Sequence, residues 1–222
     1  MQGSHLRHLA VIAGGPLDIS DAAADAVRAA CRKAAAMATE AFTAVPGLRA
    51  FSFFAPGIDR LLADPASATA GVGGCVEAAP LLEEAAARCG ASLRICGRGD
   101  GLPAALRRNA VRPAVPAERT LLWFLRYGGR DEIARAAARF LRTRPGATLG
   151  DEDLDAWLDT AGVPDPDLVV LSGGAFEAPD ALVWQASYAE LWHTAKPWDA
   201  FTVEDLRSAV ADYHTRQRRF GG

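Results

Sequence analysis

Residues 164–174 (PDPDLVVLSGG), 181–201 (ALVWQASYAELWHTAKPWDAF) and 213–222 (YHTRQRRFGG) carry the pattern that decides the fold of this chain. Residues 168–171 form a short apolar run ended by Gly173-Gly174, as expected of a buried β-strand and the turn behind it. Residues 180–193 then read as a helix, apolar nearly all the way round through Trp184, Tyr188, Leu191 and Trp192, which predicts that it is buried. The glycine pair is compatible with two structures, a tight turn and a nest of amides that would let backbone approach an anion at the strand's carboxyl end. Arg216, Arg218 and Arg219 close the chain ahead of Gly221-Gly222. At a helix end such cations are favoured by the dipole alone, by about 0.3–1 kcal/mol each.

Outward from that stretch, the chain alternates apolar runs with helical segments. Residues 9–13 (LAVIA) read as a buried strand closed by Gly14-Gly15-Pro16, and residues 48–54 (LRAFSFF) as the second strand. An alanine-rich helix to about Thr43, capped by Ser20 or Asp21, separates them. Residues 63–74 are small and turn-rich and predict a surface loop, followed by a short helix over 81–89 and a third strand over 93–96. The GRGDG stretch at 97–101 reads as a structural turn. A Pro-containing connector at 113–119 leads to residues 120–127 (TLLWFLRY), the most apolar strand and the one expected at the centre of the sheet. Helices are expected from Asp131-Glu132 and over 151–160. Strands apolar throughout, alternating with helices, predict an α/β fold: a parallel central β-sheet flanked by helices, as a single domain over residues 1–222.

Composition narrows the function classes. A net charge of −3 and a pI near 5.8 argue against nucleic acid as a partner, since no global positive field draws polyanions in. No apolar run reaches the ~20 residues of a membrane span, so a cytoplasmic protein without a transmembrane segment is expected. Cys31, Cys75, Cys89 and Cys96 lack metal-site spacing and read as reduced thiols; the four histidines show no ligand pattern either.

The order of parts at the carboxyl end resembles the cis-prenyltransferases, the family of undecaprenyl diphosphate synthase. The matching pieces are Pro166-Asp167-Leu168, Ser172-Gly173-Gly174, Leu182-Val183-Trp184-Gln185, Tyr188-Ala189-Glu190-Leu191, Trp198, Phe201 and Arg218-Arg219-Phe220-Gly221-Gly222. Tyr127-Gly128-Gly129-Arg130 and, more weakly, His8 to Gly15 extend the likeness upstream. The resemblance implies a first turn whose aspartate holds magnesium and diphosphate, yet Gly14 stands at that position, Pro16 at the asparagine and Asp18 at the arginine. After the second strand, Ala55 to Leu61 lack the family's serine, asparagine and tryptophan, and Arg126 replaces the asparagine before Tyr127. The arginines that would grip the second diphosphate are Leu171 and Glu177, and the following serine is Pro179.

What the resemblance leaves in place is uneven. Gly14, Gly15, Gly173 and Gly174 are emptied phosphate-loop positions, whereas Trp184, Gln185, Tyr188 and Trp192, on the interface helices the resemblance implies, and Arg219 with Gly221, the tail that would reach a neighbouring subunit's diphosphate, are kept. This pattern is similar to that of inert partner subunits of the Nogo-B receptor type. It implies an accessory, catalytically incomplete subunit of a hetero-oligomeric enzyme of isoprenoid biosynthesis, paired with a complete homologue or with itself. No metal of its own is expected, and Mg2+ would enter only through the partner's site. Glu190 reads either as part of a buried hydrogen-bond network or as a metal or substrate contact. The aromatic cluster reads either as core or as interface. Two rivals use the same fold: an enzyme with a rebuilt pocket that uses prenyl diphosphate for transfer to another acceptor or for terpene cyclisation, and a prenyl-lipid binding protein.

Overall fold

The computed structural model describes residues 5–15, 23–110, 117–174 and 180–216. Six parallel strands form one sheet: β1 (His8–Ala13), β2 (Ala50–Phe54), β3 (Ala91–Cys96), β4 (Arg119–Phe124), β5 (Leu168–Ser172) and β6 (Glu190–Thr194), in the order β3-β4-β2-β1-β5-β6. The parallel α/β fold expected from the apolar runs is therefore the one observed. Strands β1 and β2 are buried along their whole length, as strands covered on both faces must be. The expected centre shifts, however: β4 lies one strand in from the β3 edge, and β2 and β1 form the middle.

Seven helices are described: α1 (Ala23–Ala44), α2 (Pro56–Ala63), α3 (Ala68–Arg88), α4 (Ala104–Arg107), α5 (Gly129–Thr143), α6 (Asp151–Asp155) and α7 (Val203–Thr215). Of the surface loop expected over 63–74 only residues 64–67 form a turn; residue 63 ends α2, 68–74 are the first two turns of α3, and the short helix over 81–89 is the latter half of α3. The glycines that suggested a loop serve a helix contact. A Cβ on Gly74 would stand 2.9 Å from Ala24 Cα and 3.0 Å from Val27 Cβ, so α3 lies against the alanine face of α1 at a distance no side chain permits.

The second correction concerns the stretch after β5. Residues 180–193 are not a helix: 182–189 run through turns, Leu182 has φ of +52°, and Glu190 begins an edge strand. Nor is the stretch wholly buried, since Tyr188 is 81% exposed and Leu191 52%. The helix expected over 151–160 ends at Asp155 and continues as turns. Three of the four cysteines are buried, and all four are free. Among the described residues, no helix is long and apolar enough to cross a membrane.

Candidate functional site

The chain crosses from β1 towards β2 on one side and from β5 towards β6 on the other, so β1 and β5 flank the topological switch point, where parallel α/β sheets bind ligands. Here the crevice is filled by backbone. A Cβ placed on Gly14 would lie 2.1 Å from the Ser172 carbonyl oxygen, and one on Gly173 would lie 2.5 Å from the Gly14 carbonyl carbon. The turn is fastened on both sides, because the Gly14 N–H donates to Ser172 Oγ (3.2 Å) and the Gly14 carbonyl accepts the Trp198 N–H (2.9 Å).

The amides of the glycine pair are also engaged. Gly173 N–H donates to the Lys196 carbonyl (2.8 Å) and Gly174 N–H to the Thr194 carbonyl (3.2 Å). Of the two structures compatible with Gly173-Gly174, the tight turn is the one present, and an anion would have to displace both carbonyls to use these donors.

Beside the filled switch point, a cavity of about 390 Å³ opens between β1, β2, α1 and the loop after β6. Its walls are mostly small: Ala13, Gly14, Gly15, Ala26, Ala29, Ala30 and Ala55. Trp198 closes one side, stacked on Phe201 at 5.7 Å between ring centroids and tilted against Phe53 at 5.4 Å. Lys33 and Asp199 are the charged side chains of the lining. Magnesium as the resemblance places it does not fit these residues: position 14 has no room for a carboxylate, and Asp199 has the Lys33 ammonium beside it. Among the described residues, no group of three or more His, Cys, Asp or Glu is arranged to hold a metal.

Lys33 was not marked by any motif. Its ammonium donates to the carbonyls of Trp198 (2.8 Å), Asp199 (2.6 Å) and Phe201 (3.1 Å), and so holds the loop that forms the cavity wall. Partial burial lowers its pKa, and Asp199 pulls the other way. Loss of these charged hydrogen bonds in Lys33→Met is expected to cost about 1–2 kcal/mol, because the carbonyls recover water, and to release Trp198. A red-shifted tryptophan emission with the fold retained by circular dichroism checks this; an unchanged spectrum contradicts it.

Asp59 is a second residue that no motif marked. Its carboxylate accepts the N–H groups of Arg126 (2.7 Å) and Tyr127 (2.8 Å), tying α2 to the turn after β4, where Arg126 takes φ of +49°. Burial pushes its pKa up to about 6 against the pull of those donors. Arg126, at the position of the absent asparagine, thus serves a backbone turn, with its side chain bonded to the Asp100 carbonyl. The GRGDG stretch is a turn as expected, pinned by the Gly97 N–H to Asp159 Oδ2 (3.1 Å).

The remaining sequence candidates separate. Gln185 is buried within the chain, donating to Glu132 Oε2 (3.0 Å) and Thr160 Oγ1 (2.9 Å). Trp184 Nε1–H donates to Asp155 Oδ1 (2.6 Å), and Trp192 packs edge-on against Phe201. Both spend much of their surface inside the chain; Tyr188, with Val183 and Leu191, faces out. Glu190 is half-buried at the start of β6 and pairs with Arg216 (3.1 Å) rather than sitting in a helix. Arg216 also donates to the Leu191 carbonyl (2.9 Å), which ties the end of α7 to β6. Arg218, Arg219, Gly221, Pro16, Asp18, Ser20, Asp21, Pro113, Glu177 and Pro179 lie outside the described residues.

With this geometry in view, comparisons with known proteins point one way. The Prenyltransf family model, that of undecaprenyl diphosphate synthase, matches residues 74–221. An isoprenyl transferase of Rhodopirellula baltica is 40% identical over 139 residues, covering 59% of this chain and 57% of that protein. Isoprenyl transferase 2 of Bradyrhizobium diazoefficiens is 38% identical over 144 residues, covering 61% and 57%. The chain thus spans little more than half the length of these relatives. Among solved structures, lavandulyl diphosphate synthase from Lavandula x intermedia, in complex with dimethylallyl diphosphate, superposes with a TM-score of 0.75 at 19% identity, covering 97% of this chain and 98% of that one. A probable undecaprenyl diphosphate synthase from Campylobacter jejuni gives 0.67 at 20%, covering 99% and 100%. At these identities the structures speak for the fold.

Proposed function

Because this chain belongs to the undecaprenyl diphosphate synthase family of prenyltransferases, yet has backbone where such a chain would need a metal carboxylate, we propose that it is an accessory subunit of isoprenoid biosynthesis. It would pair with a catalytically complete homologue and supply Arg219 and the Gly221 amide to that partner's prenyl diphosphate site. Magnesium would then belong to the partner. The observation that carries this reading is the contact of Gly14 with Ser172 and Gly173, which leaves no space for the missing side chain.

Two further features support it. Among the described residues β6 pairs with β5 alone, and the exposed Tyr188, Leu191 and Val183 flank it, the kind of apolar edge that a second subunit covers. Arg216 anchors the start of the tail to that same strand. The test is co-expression with a homologue that carries the full aspartate signature, followed by sizing and prenyl transfer assays of each chain alone and of the pair. The pair should form and turn over. Arg219→Ala should slow it by on the order of tenfold without dissociating it, about the loss of one charged hydrogen bond. Consumption of prenyl diphosphate by this chain alone, in the presence of magnesium, would overturn the proposal.

A second reading rests on the apolar cavity beside Gly15, which suits an enzyme that uses prenyl diphosphate in a rebuilt pocket. Turnover by the isolated chain without a partner would select it. Tight binding of a prenyl lipid with no turnover in any pairing would instead select a lipid-binding role.

A further inference from the structure

Around the cavity beside Gly14, donors that could meet an anion are already engaged by the chain itself. The Lys33 ammonium has three N–H groups, and three carbonyls accept from it, those of Trp198 (2.8 Å), Asp199 (2.6 Å) and Phe201 (3.1 Å). The Gly14 N–H donates to Ser172 Oγ (3.2 Å), and those of Gly173 and Gly174 donate to the carbonyls of Lys196 (2.8 Å) and Thr194 (3.2 Å). Trp198 Nε1–H donates to the Ala30 carbonyl (3.3 Å). Helix α2 begins directly after Ala55 of the cavity wall, but its first residue is Pro56, which has no N–H to offer.

Charge in the wall is balanced as well. Lys33 and Asp199 supply one charge of each sign, and among the described residues no arginine lines the space. A diphosphate entering here would meet the Asp199 carboxylate and would have to displace a carbonyl to gain a donor, so its charge would be buried unpaired. A cationic guest fares no better, because the Lys33 ammonium already lies 5.7 Å from the centre of the Trp198 ring that would attract it. What remains is apolar contact: Ala13, Ala26, Ala29, Ala30 and Ala55, with a Trp198 ring held in place by Phe201 and Phe53. The volume, about 390 Å³, lies at the lower end of the range of small-molecule sites, about 300–1,000 Å³.

We propose that this cavity binds a small uncharged apolar molecule, of the size of a ten-carbon prenyl alcohol, and rejects the same chain bearing a diphosphate. This rests on the accessory-subunit reading in taking the switch point as closed, but it concerns what this chain's own pocket holds and uses neither the tail nor a partner.

Equilibrium dialysis of the full chain in magnesium buffer tests it, with labelled geraniol and labelled geranyl diphosphate as the two probes, which share one tail and differ in head group. Saturable binding of geraniol at one site is expected, with geranyl diphosphate at least about tenfold weaker. Ala26→Leu, which fills the space from α1 with another good helix former, should weaken geraniol binding by at least about tenfold, as should Ala29→Leu on the more exposed part of the same wall. Ala87→Leu, on the exposed side of α3, should leave it unchanged. Circular dichroism confirms that each variant is folded, and Ala29→Leu keeps the test open should Ala26→Leu fail to fold. No saturable binding of geraniol would overturn the proposal and leave the accessory reading standing. So would geranyl diphosphate that binds as tightly as geraniol without being consumed, or geraniol binding that the folded leucine variants leave intact. Consumption of geranyl diphosphate by this chain alone would overturn both, in favour of the rebuilt pocket.

Discussion

Restoring the family's aspartate in Gly14→Asp is expected to unfold the site rather than to revive it. A Cβ at this position begins 2.1 Å from the Ser172 carbonyl oxygen, well inside van der Waals contact, and the obstructing atom is backbone in a paired strand. The turn cannot back away, because its N–H and carbonyl are bonded to Ser172 and Trp198. Overpacking alone costs about 1–3 kcal/mol, and a carboxylate aimed at a carbonyl oxygen adds repulsion, so a loss of about 3 kcal/mol or more is expected. For a chain of this size that corresponds to a fall in Tm of roughly 6–12 °C. Gly73→Asp is the control, since nothing lies within 4 Å of a Cβ there. A folded Gly14→Asp protein that melts with the wild type and consumes prenyl diphosphate with magnesium would show that the switch point can open, and the accessory reading would lose its main support.

This result would also explain what the sequence could and could not convey about the site. The absence of an acid at position 14 and of arginines at 171 and 177 is legible at once, because it is a change of residue type at a motif position. That the vacated space is closed by β5 backbone is not legible, since it depends on how far two strands 158 residues apart in sequence have moved together. Lys33 and Asp59 were missed for the same reason. Each acts through partners far off in sequence, and neither sits in a local pattern.

Fold recognition succeeded where periodicity and burial agree. The buried strands are continuous apolar runs bounded by turn residues, and they lie within three residues of their expected limits, β4 ending at Phe124 where the run was expected to reach residue 127. It failed where one pattern serves two structures. Trp184, Tyr188, Leu191 and Trp192 fall at helical spacing, but positive φ at Leu182 breaks the start of the expected helix, turns run over 183–188, and Leu191 and Trp192 belong to β6, whose exposed outer edge tolerates the alternation that a helix reading ignores. In α3 the error ran the other way. Gly71, Gly73, Gly74 and Pro80 lower helix propensity, yet packing against α1 outweighs about 1 kcal/mol per glycine.

Acid should expose the role of His8, the opening histidine of the resemblance. The side chain is buried at the amino end of β1, with Nδ1 2.6 Å from the Pro164 carbonyl and Nε2 2.8 Å from Ser52 Oγ. A carbonyl can only accept, so Nδ1 carries the proton, Nε2 is the acceptor, and the Ser52 hydroxyl donates to it. Burial holds the pKa down to about 4, against the opposing pull of the Pro164 carbonyl and Asp167. In the unfolded chain the same imidazole protonates near pH 6.5. The neutral ring therefore contributes its full stability above pH 6.5, and that contribution is lost as the pH falls towards 4, to a total of about 3 kcal/mol. Asp59 and Asp165, whose burial raises both to about 6, act in the opposite sense, gaining a proton more readily folded than unfolded. The measurement is thus a difference: urea unfolding of wild type and His8→Gln at matched pH, in which the carboxylate contributions cancel. The wild type should lose its advantage over the variant between pH 6.5 and 4, and parallel curves across that range would mean that the buried ring is not the acid-sensitive element of this strand.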